Sequence, residues 1–473
     1  FICDFIKMES FSLEGSMKTM DVFEKRLMPL AEMIGKNKYL LTMRDSFAMV
    51  MPILIIGSMF TLLRNFPIPA WIDFLKTTMV QPDKSLFALL AIPSACTVSL
   101  MAIFLAFNIG YNFAEHIGIK DRASAGIVSL VGWFILMPQV TEFSPEEGVE
   151  PFLVDSIPLA WTGAKGVFIA MIVGFFAVGV FGYIIKKDWT IKMPEGVPPT
   201  VARAFSALIP MTVAFTAVWL VGIVFIISPW GNAFNFIYAI LQAPLTSLGG
   251  TVWALAFSYV LASGFWFIGI HGSSVTGSIY TPILTALSLE NQAAFAAGAA
   301  LPNIVNREFE TFFATFGGGG STLSLLIAML LFCNSKRIKD LAKISVAPGI
   351  FGINEPIIFG LPIVLNPVML IPFILTPVVN IIIAYFIMDL GLVPLCNGVM
   401  LPWTTPPLVS GFLLSGWQGA VLQLFLIILG IFIYLPFIKT LDKEYLKEEA
   451  AASEESSTEL EDFDSIDLDS VVL

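Results

Sequence analysis

The stretch APGIFGINEPIIFGLPIVLNP, Ala347–Pro367, decides how this sequence folds. It is apolar almost throughout, yet it contains four prolines, three glycines and a single carboxylate, Glu355. Each interior proline removes a backbone hydrogen bond, and the hydrocarbon core of a bilayer has no water to replace it. We therefore predict a re-entrant hairpin with Asn354, Glu355 and Pro356 at its tip. A carboxylate placed there indicates a functional site; the alternative is a cytoplasmic loop with an ordinary solvated glutamate.

The composition predicts a polytopic membrane protein. Hydrophobic residues make up 57% of the 473 positions and charged residues only 13%, more apolar surface than a soluble core of this length could bury. The net charge of −11 lies almost entirely in the C-terminal segment, since twelve acidic residues and two lysines follow Thr440. No basic surface for nucleic acid is expected. The four scattered cysteines have no metal-ligand spacing, so we predict no metal and no cofactor.

We expect an all-α fold with about ten transmembrane helices and two re-entrant hairpins. Four segments are predicted along the chain. Residues 1–19 are a tag or a disordered start, and 441–473 form an acidic disordered tail. Residues 20–200 form an N-terminal membrane half for dimerisation, with an amphipathic cytoplasmic helix over 20–44 and five spans. Residues 201–440 form a second half whose apolar segments are interrupted by Gly and Pro, which is typical of a transport site.

Lysine and arginine residues cluster in alternate loops, which indicates the orientation in the membrane. Basic residues precede the first span and follow the second and the fourth, whereas the loop over 141–156 is acidic and 226–250 carries no charge. We therefore expect both termini in the cytoplasm.

His271 is the natural partner for Glu355. It lies where an apolar segment ends in the sequence GIHGSS. A neutral imidazole both donates and accepts hydrogen bonds, so the two side chains together could hold a hydroxyl group. The alternative is a histidine at the lipid–water boundary without a specific role.

Two tryptophans, Trp266 and Trp403, lie in broken segments near these polar residues. A flat indole face can stack on the C–H face of a pyranose ring while polar neighbours bind the hydroxyls. Most tryptophans of membrane proteins are interfacial anchors instead, and that reading stays open for both.

Two further motifs are interpreted as structural. Gly317–Gly320 followed by Ser321 is similar to a phosphate loop but lacks its lysine and flanking strand, so close helix packing or a hinge is expected. Arg307, Glu308 and Glu310 are expected in a hydrated turn.

The motifs GINEPIIFGLPIVLNP, GIHGS and MRDSFAMVMPILIIGS resemble the enzyme IIC component of the bacterial phosphotransferase system, in its lactose/cellobiose/diacetylchitobiose branch. The resemblance covers about residues 20–440. It implies a homodimer of ten-span protomers in the bacterial plasma membrane. It also implies catalytic roles for Glu355 and His271 near the sugar hydroxyl that is phosphorylated. The sugar-binding residues that it implies are Trp266, His271, Gly272, Asn354, Glu355 and Trp403.

The same resemblance predicts the reaction and the partners. A β-linked disaccharide is imported and phosphorylated on its 6-hydroxyl. The sugar is cellobiose or diacetylchitobiose, with lactose as a further candidate. The phosphoryl donor is a phosphocysteine on a separate cytosolic IIB protein, which is itself supplied by a IIA protein. A proton-coupled disaccharide transporter is the alternative function, and a membrane scaffold without transport is a third, which the broken helices disfavour.

Overall fold

The computed structural model describes residues 36–66, 68–143, 152–194, 196–267, 270–361, 363 and 366–464. Residues 1–19, for which a tag or a disordered start is predicted, lie outside this range, as does most of the amphipathic helix expected over 20–44. The described chain is mostly helical, as the all-α prediction expects.

Nineteen α-helices are present in the described residues, joined by short 3₁₀ and π turns. In chain order, α1 to α19 are Lys38–Arg64, Pro69–Thr77, Leu86–Leu89, Ala91–Ala95, Met101–His116, Arg122–Leu136, Leu159–Thr162, Val167–Lys186, Pro199–Ile227, Ala233–Ile237, Ala243–Gly249, Val252–Phe267, Gly272–Ala297, Arg307–Phe309, Thr322–Phe332, Lys336–Ile350, Glu355–Gly360, Pro367–Asp389 and Val409–Asp464. Two small antiparallel hairpins pair β1 (Met79–Gln81) with β2 (Lys84–Ser85) and β3 (Val140–Phe143) with β4 (Phe152–Asp155).

Seven helical segments of the described chain are long and apolar enough to cross a membrane. An eighth is obtained if Ala233–Gly249 and Val252–Phe267, which meet at an angle of 73°, are counted as one broken span. The sequence prediction of about ten spans also includes α6, which has only 15 residues, and the region of α13. The described residues thus form a polytopic helical protein, while the figure of ten spans and the division into two halves stay predictions.

The first long helix begins earlier than the sequence predicts. The side chain of Asn37 accepts hydrogen bonds from the backbone N–H groups of Tyr39 and Leu40, at 2.9 and 3.3 Å, and so caps α1. Lys38 and Arg44 therefore belong to the same continuous helix as the first span. The surface helix predicted over 20–44 does not extend to its expected end.

Glycines allow α5, α6 and α8 of the N-terminal half to pack at close range. A Cβ atom on Gly110 of α5 would lie 2.5 Å from the carbonyl oxygen of Ala125 in α6. One on Gly174 of α8 would lie 2.4 Å from the Ile109 side chain. These helices therefore depend on the absence of a side chain where they approach each other.

The acidic C-terminal segment differs from the disordered tail predicted from residue 441. Its described part, up to Asp464, continues α19, and two of its carboxylates bind the start of α16. Asp442, only 2% exposed, accepts hydrogen bonds from the backbone N–H groups of Asn334 and Ser335, just before the helix, at 2.8–3.1 Å. Glu449 accepts from the Ser335 hydroxyl at 2.7 Å and from the backbone N–H of Arg337, in the first turn, at 3.0 Å. Because the first N–H groups of a helix lack partners within the helix, these carboxylates give the segment a structural role that composition alone does not reveal.

The predicted break near Glu355 is present. Helix α16 ends at Ile350, Gly352 adopts a left-handed φ of 85°, and the short helix α17 begins at Glu355. The interruption leaves polar side chains and backbone groups available at one place in the second half.

Candidate functional site

A cavity of about 850 Å³ lies where the interrupted segments of the second half meet. Its size is within the usual range of small-molecule sites, roughly 300–1,000 Å³. The walls come from the end of α12, the start of α13, the turns that follow α14, the glycine segment, the break before α17 and the segment before α19. The residues lining it are Tyr259, Trp266, His271, Ser273, Arg307, Glu310, Thr311, Phe312, Thr315, Phe316, Gly317, Gly318, Gly319, Ile350, Gly352, Ile353, Asn354, Glu355, Pro356, Trp403, Thr405, Pro407 and Ser410.

Five of the six residues proposed from the sequence line this cavity, although they are up to 137 positions apart in the chain. The exception is Gly272, which is buried in the start of α13. A Cβ atom on Gly272 would lie 1.8 Å from the carbonyl oxygen of Ala262. The missing side chain of Gly272 is therefore required by the contact between α12 and α13.

The His271 ring is fixed by the helix that follows it. As N-cap of α13, its Nδ1 atom accepts a hydrogen bond from the Ser274 backbone N–H at 3.2 Å and lies 2.9 Å from the Ser274 hydroxyl. A nitrogen that accepts from an N–H carries no proton, so the proton of the neutral ring is on Nε2. The ring centroid lies 4.4 Å from that of Trp266. His271 therefore offers the cavity a positioned N–H donor.

The carboxylate of Glu355 points to no partner in the described part of the chain. It is exposed at the start of α17, and no hydrogen bond or ion pair of its side chain occurs among the described residues. In particular, none joins it to His271, so the direct pairing expected from the sequence is absent. The two residues instead share a cavity, one as a free acceptor and the other as a donor.

Asn354 holds the tip of the break against the glycine segment. Its side chain is 5% exposed, and its Nδ2 atom donates a hydrogen bond to the Gly319 carbonyl at 2.8 Å. A Cβ atom on Gly318, where φ is 91°, would lie 2.7 Å from the Asn354 side chain. These contacts fix the position of the neighbouring Glu355.

The two tryptophans differ in their environments. Trp266 is 7% exposed, and its Nε1–H is buried without a hydrogen-bond partner in the described part of the chain. Trp403 is 60% exposed, and its ring would be 3.5 Å from a Cβ atom on Gly352. One indole thus brings an unused donor and the other an accessible flat face.

The hydrated turn predicted for Arg307, Glu308 and Glu310 is wrong. Arg307 Nη1 lies 2.6 Å from Glu310 Oε2, and the Tyr259 hydroxyl donates to Glu310 Oε1 at 2.8 Å. The side chains of Tyr259, Arg307 and Glu310 line the cavity. Glu308 does not line it; this residue is 3% exposed and hydrogen-bonded to Ser288. The signal that could have revealed them is an oppositely charged pair three residues apart at the start of an apolar run.

The glycine segment packs closely, as one of the two sequence interpretations expects. Gly317, Gly318 and Gly320 all have left-handed φ values. A Cβ atom on Gly320 would lie 2.2 Å from the Phe373 ring, and the Tyr434 hydroxyl donates to the Gly320 carbonyl at 2.6 Å. The segment is a rigid wall of the cavity.

Comparison with known proteins places the chain in a family. The family model described as "Phosphotransferase system, EIIC" matches residues 44–377. The chain belongs to the phosphotransferase system EIIC family. It is thus a multi-pass membrane permease component of a sugar phosphotransferase system, and the resemblance drawn from its motifs is confirmed.

Individual relatives cover nearly the whole chain. The lichenan permease IIC component of Bacillus subtilis (strain 168) is 37% identical over 91% of this chain and 95% of its own length. The cellobiose-specific EIIC component of Geobacillus stearothermophilus is 37% identical over 91% and 96%. The crystal structure of ChbC, the IIC component of an N,N'-diacetylchitobiose-specific system, matches with a TM-score of 0.87 and 38% identity, covering 91% of this chain and 99% of that one.

Proposed function

We propose that this EIIC protein imports a β-linked disaccharide, cellobiose or diacetylchitobiose and with lactose as a further candidate, and presents its 6-hydroxyl for phosphorylation by phospho-IIB. The sugars after which its relatives are named, cellobiose, diacetylchitobiose and lichenan, support this class of substrate. Lichenan is a β-linked glucan, so the three have β-glycosidic linkages in common but differ in the sugar.

The observation that carries the proposal is the unpaired Glu355 carboxylate in the same cavity as the N–H of His271. A sugar hydroxyl both donates and accepts a hydrogen bond. In the proposed complex it donates to Glu355 and accepts from Nε2 of His271. As the phosphoryl group is transferred, the hydroxyl must lose its proton, and Glu355 is the acceptor that can take it.

The tryptophans supply the remaining recognition. The exposed face of Trp403 stacks on the apolar face of one pyranose ring, and Nε1–H of Trp266 donates to a sugar oxygen. That bond gives a partner to a group that is buried without one in the free protein, which adds to the free energy of binding.

The proposal includes the assembly and the topology expected for the family. The protein acts as a homodimer of ten-span protomers with two re-entrant hairpins and both termini in the cytoplasm. Separate cytosolic IIB and IIA proteins supply the phosphoryl group. The loop charges support the orientation, because basic residues cluster in alternate connections.

The test is transport by membrane vesicles that contain the protein. We expect disaccharide phosphate to accumulate only when phospho-IIB, IIA and the general phosphoryl carriers are supplied. A proton gradient in the absence of these proteins is the matched control. Accumulation of free disaccharide under that gradient alone would overturn the proposal and establish the proton-coupled transporter instead.

A further inference from the structure

A second cleft, of about 790 Å³, lies in the N-terminal half and shares no lining residue with the sugar cavity. It is formed by the C-terminal ends of α5 and α8, the turn that joins α5 to α6, and the first turns of α9. Three of its walls, Leu86–His116, Ala164–Lys186 and Val201–Ile227, are candidate membrane spans. The cleft therefore opens at the ends of spanning helices.

The cleft combines an apolar floor with a basic rim. Phe181, Ile119 and Ala207 are buried in its floor at 0%, 5% and 5% exposure. Lys120, Lys186 and Arg203 line its exposed rim. An amphipathic ligand would meet both surfaces.

The rim carries more positive charge than the neighbouring carboxylates offset. Glu115, which does not line the cleft, lies 2.7 Å from Arg122. Asp121 is the one carboxylate among the described lining residues and accepts hydrogen bonds from the backbone and the hydroxyl of Ser124 at 3.1 and 2.6 Å. Its single negative charge leaves the rim with a net positive charge. The rim cations Lys120, Lys186 and Arg203 have no ion pair or side-chain hydrogen bond with any described residue.

Arg122, which pairs with Glu115, is a further cation held in place at the cleft. Its guanidinium lies 4.0 Å above the Tyr111 ring and donates to the Tyr111 carbonyl at 3.3 Å and to Asn112 Oδ1 at 3.2 Å. Nearby, the exposed Tyr183 and Trp189 are aromatic residues of the type that lies at the lipid–water boundary.

We infer that this cleft binds the phosphate headgroup of an anionic phospholipid. Lys120, Lys186 and Arg203 contact the phosphate, and one acyl chain lies along Phe181 and Ala207. Basic pockets between the ends of membrane helices bind such headgroups because the charges attract each other where water is partly excluded. Free phosphate has the same charged group but no acyl chain, so the apolar floor favours the lipid.

The experiment measures lipid retained by purified full-length protein in a neutral detergent, using native mass spectrometry with phosphatidylglycerol and, separately, phosphatidylcholine. We expect retention of phosphatidylglycerol in preference to phosphatidylcholine. The triple variant Lys120→Gln, Lys186→Gln, Arg203→Gln should weaken that binding by about 100-fold, on the order of fivefold per cation. Each single variant should show its own fivefold loss, so the test does not depend on the triple variant folding.

The matched control is Lys84→Gln, Lys443→Gln, Lys447→Gln, which removes the same charge from exposed positions outside the cleft. It should retain phosphatidylglycerol as the wild type does. Equal loss in both triple variants, equal retention of the two lipids, or displacement of phosphatidylglycerol by millimolar inorganic phosphate would each overturn the inference. The last result would assign the cleft to free phosphate. Failure of sugar transport would not affect this test, because it measures lipid alone.

Discussion

Asn354 donates a hydrogen bond to the Gly319 carbonyl across 2.8 Å and thereby joins the two interrupted segments of the second half. One segment carries the Glu355 carboxylate, and the other is the glycine wall of the cavity that Glu355 lines. The position of the carboxylate thus depends on backbone that only glycine can readily form.

Gly318→Ala tests this dependence. The φ of 91° is unfavourable for alanine, and the new Cβ atom would lie 2.7 Å from Asn354. Strain of roughly 1–3 kcal/mol is expected, and we expect the shift of Asn354 to reduce cellobiose affinity by about tenfold or more. Isothermal titration calorimetry measures the change. Gly179→Ala is the control, because no atom lies within 4 Å of its Cβ position; wild-type affinity in both variants would contradict the prediction.

Glu355→Gln preserves the shape of the side chain but exchanges an acceptor oxygen for a donor. A lost charged hydrogen bond costs roughly 1.5–3 kcal/mol, so affinity for cellobiose and diacetylchitobiose should fall by about one to two orders of magnitude. Phosphorylation in vesicles should fall further, since the proton acceptor is also lost. Wild-type affinity and turnover would show that the break before α17 is only structural.

His271→Gln should weaken sugar binding similarly, and the double variant with Glu355→Gln should lose less than the sum of the two. No bond joins the two side chains directly, so this coupling would arise from the hydroxyl that both contact. The double-mutant cycle is measured by equilibrium binding. Strict additivity would show that the two residues contact different groups of the sugar.

The two tryptophans should respond differently to substitution. Trp266→Phe keeps an aromatic ring but removes the Nε1–H, and the loss of one neutral hydrogen bond of about 1 kcal/mol predicts a fivefold weaker affinity. Trp403→Ala removes a stacking surface and should weaken the affinity for the sugar by about tenfold. Trp417→Ala is the control, because Trp417 is 65% exposed and lies outside the cavity. Equal effects at all three positions would indicate a general loss of packing.

The C-terminal segment should contribute to stability up to Glu449. The polar composition of the tail predicts that truncation after Lys447 leaves stability unchanged. That truncation, however, removes the acceptor that Glu449 provides to the start of α16. We expect a lower midpoint of thermal unfolding for that truncation and an unchanged one for truncation after Ala451. Asp442→Ala leaves the backbone N–H groups of Asn334 and Ser335 without their acceptor and should lower the free energy of unfolding by about 1–3 kcal/mol, whereas Lys443→Ala should leave it unchanged. Identical midpoints for both truncations would show that Glu449 does not contribute to stability.

The sequence draws attention to Glu355 and His271 because its signals are local. A carboxylate between prolines and a histidine between glycines stand out in apolar surroundings, and both line the cavity. Arg307 and Glu310 have no such contrast, since the charges of NREFE are typical of a loop. Their role depends on Tyr259, about 50 positions away, and only the fold brings that hydroxyl to them.

The contacts of the C-terminal segment are not predictable from its composition for a related reason. Composition describes the solvation of a segment but not the groups that its side chains meet. Composition predicts that these acidic residues face water, whereas Asp442 binds the backbone N–H groups just before α16 and Glu449 binds one in its first turn. Helix starts more than 100 positions away cannot be matched to their caps from sequence pattern alone.

The cap that His271 provides to α13 also limits how the ring can move. Its Nδ1 atom is engaged by the backbone N–H and the hydroxyl of Ser274, and its centroid lies 4.4 Å from that of Trp266. The ring is therefore ordered before any ligand arrives. A ligand that accepts a hydrogen bond from Nε2 loses little affinity to the ordering of this side chain, because the fold has already restricted its rotation.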